Sequence, residues 1–379
     1  MFNMKKILFG ITSLTIGGAE RVLVDLSNKL QEKEDFEITI FTIYSKGEFE
    51  KSLNGNIKVS SLYDKSYNEL TKMQKILVPI KILFCKKSIY KKYIKGDYDT
   101  EIAFLEGPIT RLFSIKNKNT KKIAWIHNDM SLVFGKGIKA KIKRKIDRKI
   151  YSKFSTLVFV SEDNRNKFEQ IYPDLRNSEL EKVHKRVVYN YIDKDLVLEK
   201  AKEKSNIEFN KNELNFVSVC RLVEQKAIER LIEVHKKLID DKYMHKFYIV
   251  GDGPLKEKLE AKIKEEGLEK TFILLGQKEN PYPYIRQADY FCLLSYFEGY
   301  PMVVEEAKIL NKEILITDTA AREVVKDYDK SSIFENTEEG IYKGLKKIIQ
   351  NSKLKGKKIE VVEYNNEKII DKVIKLLGE

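Results

Sequence analysis

Glu298 and Glu306 stand eight positions apart in SYFEGYPMVVEEAKILNKEILIT, Ser295 to Thr317, on either side of a Gly-Tyr-Pro turn. The spacing predicts a ligand-facing loop that runs into a helix. Phe291 to Leu294 reads as a buried strand, Gly299 permits a tight bend, and Pro301 stands where a first helical residue is favoured because it needs no amide partner. The helix should end near Asn311. Unpaired N–H groups at such a helix start suit a phosphate or a polar sugar, and Glu306, one turn further in, can accept two hydrogen bonds from a diol such as a ribose. Either acid taken alone is also explained as a solvated charge favoured by the helix dipole. What decides between the two readings is the company these acids keep.

Other residues that could share the chemistry also follow strand-like runs. Arg221 and Lys226, in CRLVEQKAIERL, can converge on a diphosphate, one as a planar fork and the other as a point charge. Gly17 and Gly18 follow the first strand-like segment and let a backbone come close to a ligand. Their spacing is neither GxGxxG nor a P-loop, so dinucleotide and ATP readings lose their usual support. His127, in WIHNDM beside the only tryptophan, reads as a polar donor or as a satisfied structural histidine. The other histidines, at 184, 235 and 245, are too scattered for a metal cluster. Cys85, Cys220 and Cys292 make no metal or disulfide spacing; they read as core thiols of a reducing compartment.

These residues need a scaffold, and 379 residues predict two domains of ordinary size. At 42% hydrophobic and 34% charged, with no apolar run long enough to span a bilayer, the composition is that of a soluble protein. Lys5 and Lys6 before Ile7 to Ile16 imitate a secretory leader, but Thr12, Ser13 and Thr15 interrupt the run, which predicts a buried strand. Strand and helix patterns then alternate. Strands are expected at 6–12, 37–44, 100–104, 121–126, 156–160 and 186–188, and again at 214–219, 246–250, 272–275, 290–294 and 314–317. Helices are expected at 20–30 and 227–239. The fold class is α/β: two Rossmann-like, doubly wound domains meeting at a cleft and joined near Asp193. The expected boundaries are 1–192, 193–355 and a closing segment 356–379, whose helix at 367–377 packs back on the first domain.

The net charge of +14 lies in the first half. Two basic segments carry it. Lys72 to Lys95 mixes eight lysines with Ile76, Leu77, Val78, Ile80, Ile82, Leu83 and Phe84, and Lys136 to Phe154 places Ile138, Ile142, Ile146 and Ile150 on one stripe of a basic helix. That stripe suits an anionic membrane surface, with Lys139, Lys143, Arg144, Lys145, Arg148 and Lys149 as its contacts. A core-facing stripe has the same period. Nucleic acid is the weaker partner, since no zinc finger, helix-turn-helix or RNP-type signature accompanies the charge.

In order along the chain, GGAER at 17–21, VSE at 160–162, VVYNYID at 187–193, Arg221 with Lys226, VGDGPLKEKLE at 250–260 and EGYPMVVEEA at 298–307 resemble the retaining GT-B glycosyltransferases of family 4. The Glu-x7-Glu segment with Thr317 and Asp318 downstream is its most specific part. The resemblance implies transfer of a sugar from a nucleotide-sugar with retention of configuration, and no required metal or cofactor. It implies that Arg221 and Lys226 meet the donor diphosphate and Glu306 the ribose. Glu298 with Gly299, Tyr300, Pro301, Met302 and Val303 would hold the transferred sugar, Gly17 and Gly18 would approach the phosphates, and the base would lie near Gly251, Gly253, Gly276 and Gln277. His127 would lie near the reacting sugar. Developing charge on the diphosphate is then stabilised by fixed cations and a helix start, and Glu298 positions rather than attacks.

Two departures stand out. Ala227 follows Lys226 where the family commonly has glycine, and AKILNKEILITD replaces a small-residue, glycine-proline turn. Asp97-Tyr98-Asp99 and Asp327-Tyr328-Asp329 imitate a metal-binding DxD but read as surface loops. The expected acceptor is a membrane-lipid-linked saccharide of capsule-type surface polysaccharide synthesis, and the expected location is cytoplasmic, peripheral to the plasma membrane. A protein acceptor such as an adhesin or flagellin, or a teichoic acid, is the alternative. A sugar-nucleotide epimerase or a non-catalytic basic binder represents the other classes.

Overall fold

The computed structural model describes residues 4–33, 35–117, 119–130, 137–176, 183–352 and 366–378. The chain divides into two compact units, Met1–Ile192 with Asn366–Glu379, and Asp193–Asn365. Among the described residues the first unit holds a seven-stranded sheet in the order β3-β2-β1-β4-β5-β6-β7. Its strands are β1 (Lys5–Ile11), β2 (Phe36–Tyr44), β3 (Lys58–Tyr63), β4 (Thr100–Ala103), β5 (Lys121–Ile126), β6 (Thr156–Phe159) and β7 (His184–Val187). The second unit holds six strands in the order β10-β9-β8-β11-β12-β13: β8 (Asn215–Val219), β9 (Lys246–Val250), β10 (Phe272–Gly276), β11 (Tyr290–Leu293), β12 (Glu313–Thr317) and β13 (Ser331–Phe334). Every adjacent pair is parallel. Numbered within itself, each sheet runs 3-2-1-4-5-6, the first with a seventh strand beyond, which is the doubly wound arrangement.

The central strands are apolar along their length because helices cover both faces. Phe9, Ile38, Ile102, Ile123, Phe216, Phe247, Phe291 and Ile314 are all fully buried. β3 and β13, absent from the sequence expectation, are edge strands: KVSSLY buries only Leu62, and SSIF only Phe334. A strand with one neighbour and one wet side has no continuous apolar run to announce it.

Helix ends follow local chemistry. Thr71 and Gln74 form a capping box that starts the helix Lys72–Tyr93, and the hydroxyls of Ser161 and Thr337 accept backbone N–H bonds at two other starts. The closing helix Glu367–Gly378 belongs to the first unit and buries Ile370, Val373, Leu376 and Leu377. Lys5 Nζ donates to the carbonyl of Leu377 at 3.2 Å and Lys121 Nζ to that of Leu376 at 2.7 Å, two cations on a helix C-terminus. Residues 356–365 of the expected closing segment lie outside the described residues.

The first unit also encloses an ion pair. Glu101 on β4 and Lys122 on β5 are cross-strand neighbours, 1% and 5% exposed; Lys122 Nζ contacts the carboxylate and donates to Tyr90 Oη at 3.1 Å, while Tyr90 donates to Glu101. Burial pushes the Lys122 ammonium down in pKa, and the Glu101 charge opposes that shift. Because Tyr90 is on the helix Lys72–Tyr93, this trio ties that helix to the sheet.

Of the two readings of the isoleucine stripe on the helix Ile138–Tyr151, the core-facing one does not hold: Ile138, Ile142 and Ile146 are exposed, and only Ile150 at the far end is buried. Two expectations need correction. Cys85 is not a core thiol but lies exposed at a kink, whereas Cys292 is buried and Cys220 half-buried. Pro301 precedes the helix Met302–Ile309 as its cap rather than opening it.

Candidate functional site

In each sheet the chain order reverses between two neighbouring strands, β1 and β4 in the first unit and β8 and β11 in the second. Loops leaving the carboxyl ends of such strands diverge and leave room for a ligand. In the second unit these loops are stitched together. Tyr296 N donates to the Gln225 carbonyl at 2.9 Å, Gln225 Nε2 to the Phe297 carbonyl at 3.0 Å, and Lys226 Nζ to Glu298 Oε1 at 2.6 Å. Beneath them buried Arg230 donates to the Leu294 carbonyl at 2.8 Å and sits 4.3 Å from the centre of the Tyr296 ring. Glu298 is only 7% exposed. A carboxylate so enclosed needs a cation, and Lys226 supplies it. Arg221 lies on the same loop as Lys226 and is exposed.

Lys226 reaches across because the chain turns sharply behind it. Ala227 adopts φ 53, ψ 33, the left-handed region where glycine is at ease and a Cβ is strained. The departure from the family's usual glycine thus falls at a position whose backbone asks for one. Two other glycines are compulsory. A Cβ on Gly251 would lie 1.9 Å from the Cys220 carbonyl oxygen, and one on Gly253 2.4 Å from that of Leu222. Cys220 N and Leu222 N donate to the carbonyls of Val250 and Asp252, so the segments after β8 and β9 run side by side as bare backbone. Gly276, at φ 70, ends β10, and Gln277 next to it is exposed.

Glu306 is half-buried in the helix Met302–Ile309 and accepts a hydrogen bond from Tyr282 Oη at 3.0 Å. Its neighbour Glu305 is a brace: Tyr300 Oη donates to one oxygen at 2.5 Å and Lys308 Nζ to the other at 3.0 Å. These contacts hold Tyr300 against the helix. Gly299, Met302 and Val303 are half-buried along the same turn, and Pro301 is buried. Thr317, at the end of β12, donates to the Ser295 carbonyl at 2.6 Å, while exposed Asp318 pairs with Arg322.

In the first unit Gly17 is the extended cap of the helix Gly18–Gln31, at φ −169, so it uses no left-handed freedom. His127 follows β5 and its ring packs tilted against that of Phe104, 4.8 Å between centres; burial lowers its pKa to about 3, so the ring is neutral near pH 7. Its Nε2 is buried with no hydrogen-bond partner among the described residues. Glu106, after β4, is a functional candidate that sequence reasoning missed. Its Oε1 accepts from the backbone N–H groups of His127 and Asn128 at 2.6 and 2.7 Å, and its Oε2 from Asn128 Nδ2 at 2.9 Å. Burial raises its pKa while these donors oppose the rise. Lys167 completes the loop by pairing with Asp129 and Asp163 at 2.8 Å each, which joins WIHNDM to the VSE segment. Nothing local marks Glu106, Tyr282, Arg230 or Gln225: each matters through a partner distant in sequence.

On the helix Ile138–Tyr151, Lys143, Lys145, Arg148 and Lys149 are exposed and Arg144 is half-buried, its carbonyl accepting from Tyr172 Oη. Lys136 and the Lys139 side chain lie outside the described residues. Asp97, Asp99, Asp327 and Asp329 are exposed in loops before strands, with Asp99 capping Lys6 N at 2.8 Å. Among the described residues no three His, Cys, Asp or Glu side chains gather as metal ligands, and no helix is long and apolar enough to cross a membrane.

Residues 199–375 match the family model described as glycosyl transferases group 1. A Campylobacter jejuni protein, N-acetylgalactosamine-N,N'-diacetylbacillosaminyl-diphospho-undecaprenol 4-alpha-N-acetylgalactosaminyltransferase, is 27% identical over 93% of this chain and 92% of its own length. The capsular polysaccharide biosynthesis glycosyltransferase CapH of Staphylococcus aureus is 26% identical over 88% of this chain and 86% of its own. Among solved structures, Anabaena HepE in complex with UDP and glucose superposes with a TM-score of 0.70 at 16% identity, covering 99% of each chain. The fold is that of a GT-B protein, and the similarity to glycosyl transferases group 1 covers residues 199–375.

Proposed function

We propose that this GT-B chain with a group 1 glycosyl transferase domain is a retaining, metal-independent glycosyltransferase that moves a sugar from a UDP-sugar to a membrane-lipid-linked saccharide in bacterial surface polysaccharide synthesis. The observation that carries the proposal is the contact between Lys226 and Glu298 at the second unit's switch point, with Glu306 on the helix that follows. In this reading Arg221 and Lys226 take the diphosphate, whose negative charge grows as the glycosidic bond breaks. Glu298, held by Lys226, orients the sugar, and Glu306, oriented by Tyr282, accepts from the ribose hydroxyls. Gly251, Gly253 and Gln277 border the base. The lipid-linked acceptor is supported by the undecaprenol-linked substrate in the Campylobacter relative's name, and UDP by the Anabaena complex. A capsule role is supported by the name of the staphylococcal relative. The location that follows is peripheral, on the cytoplasmic face of the plasma membrane.

A panel of nucleotide-sugars scored by thermal shift tests the donor, since a ligand that binds only the folded state raises its melting temperature. One or a few UDP-sugars should stabilise the protein. Lys226→Ala and Glu306→Ala should each lower donor turnover by about 100-fold or more; Glu306→Ala should leave the melting temperature nearly unchanged, whereas Lys226→Ala, which strands the enclosed Glu298 carboxylate, should lower it as well. Near-native rates in both variants would remove the site assignment.

A further inference from the structure

The helix Lys72–Tyr93 has two apolar faces. Val78 and Ile82 point into the core, at 4% and 0% exposure. Met73, Ile76, Leu77, Ile80, Leu83 and Phe84 are all exposed, Phe84 at 79%. At 3.6 residues per turn these six fall within an arc of about 120°, roughly opposite the buried pair. Lys72, Lys81, Lys87, Lys91 and Lys92 are exposed on the same helix, and no acid occurs between Leu70 and Gly96. The helix Ile138–Tyr151 repeats the pattern with exposed Ile138, Ile142 and Ile146 among exposed lysines. The two helices flank the short helix Pro108–Phe113. Lys86 donates to Ser114 at its end at 3.0 Å, and Arg111 pairs at 3.3 Å with Asp147, the only acid on the second basic helix.

We infer that these two helices together form a docking surface for an anionic lipid bilayer, with the Met73–Phe84 stripe inserting between acyl chains and the flanking lysines meeting phosphate headgroups. The chemistry selects this occupant. A second copy would set one lysine-rich face against another, and a nucleic acid would leave the apolar stripe in water. A bilayer with acidic headgroups satisfies both the stripe and the charge, and long lysine side chains reach upward from a helix lying at the interface. The buried trio of Tyr90, Glu101 and Lys122 fastens the inserting helix to the sheet, so the surface is part of the folded unit. The inference extends the proposed use of a lipid-linked acceptor, but its test reads vesicle binding and does not depend on turnover.

Vesicle flotation with the full chain provides that test. The protein should float with vesicles containing phosphatidylglycerol and stay behind with vesicles of phosphatidylcholine alone. Leu77→Ser/Ile80→Ser/Phe84→Ser and, separately, Lys81→Glu/Lys87→Glu should each cut the bound fraction by about tenfold while keeping the melting temperature and any nucleotide-sugar shift. Should the serine variant fold poorly, the lysine variant, whose changes are at exposed positions, carries the test by itself. Equal binding to both vesicle types, no binding, or unchanged binding in the variants would overturn the inference. So would sedimentation showing a native dimer that the serine variant turns into monomers. Loss of every nucleotide-sugar response with retained vesicle binding would instead count against the donor assignment alone.

Discussion

The two units share one strand order and differ in what holds the loops at their switch points. In the second unit the loops are joined side chain to side chain and side chain to carbonyl, through Lys226, Glu298, Gln225 and Arg230. In the first, one carboxylate, Glu106, gathers backbone N–H groups of the loop that carries His127. Topology thus fixes where a ligand-facing loop begins, and loop chemistry decides what it can face. The second unit offers cations and carboxylates on a nearly neutral frame; the first offers a neutral histidine on a strongly basic one.

The largest expected effect that sharpens this contrast lies in the core of the first unit. Glu101→Ala strands the Lys122 ammonium, 5% exposed, and should cost about 3–5 kcal/mol in chemical denaturation. Glu101→Gln should cost less. A loss under about 1 kcal/mol would mean that the pair does not anchor the unit.

Acid comes next. Burial holds His245 at about 4 and His235 at about 2, against about 6.5 in an unfolded chain. Both are neutral when folded, and their rings hydrogen-bond to each other at 2.9 Å. Below pH 6.5 the unfolded chain binds protons that the folded one refuses. The stability they confer is therefore complete above about pH 6.5 and is lost as pH falls towards 4, by about 2 kcal/mol per histidine between pH 7 and 5. The first unit has one such ring, His127. Far-UV dichroism should therefore fall at a higher pH than the fluorescence of Trp125, the only tryptophan and a first-unit residue. Coincident transitions would argue that the units unfold as one.

Glu106→Gln keeps the size but turns an N–H donor towards the donors that the carboxylate serves. Turnover should drop by about tenfold with KM for the donor little changed, and Glu106→Asp should recover part of it. A rise in KM with unchanged kcat would assign Glu106 to binding instead. The smallest effect is a gain. Ala227→Gly relieves a left-handed alanine at the loss of a buried methyl, and should stabilise the second unit by about 0.5–1 kcal/mol in denaturant titrations.

Much of the fold was legible because central parallel strands announce themselves as apolar runs: 121–126 and 246–250 were expected with the bounds observed. β3 and β13 were not, since an edge strand buries one side chain in a polar segment. Glu298, Lys226 and Glu306 could be read from spacing and resemblance. Tyr282 and Arg230 could not, because their roles come from partners 24 and 64 residues away. The outward stripe of the helix Lys72–Tyr93 was hidden for a geometric reason. Two opposed apolar faces cancel as vectors, so a helix greasy on both sides has almost no net amphipathic direction.

That same stripe bears on how the protein behaves in a test tube. Lysines around an exposed apolar face keep copies apart by repulsion, with a reach set by dissolved ions, about 10 Å at 0.1 M salt and about 3 Å at 1 M. Salt, usually added to keep basic proteins in solution, would here shorten the repulsion and leave the greasy faces free to meet. Concentrating this chain is a contest between ionic strength and stickiness, and low salt or a mild detergent is the favourable side of it.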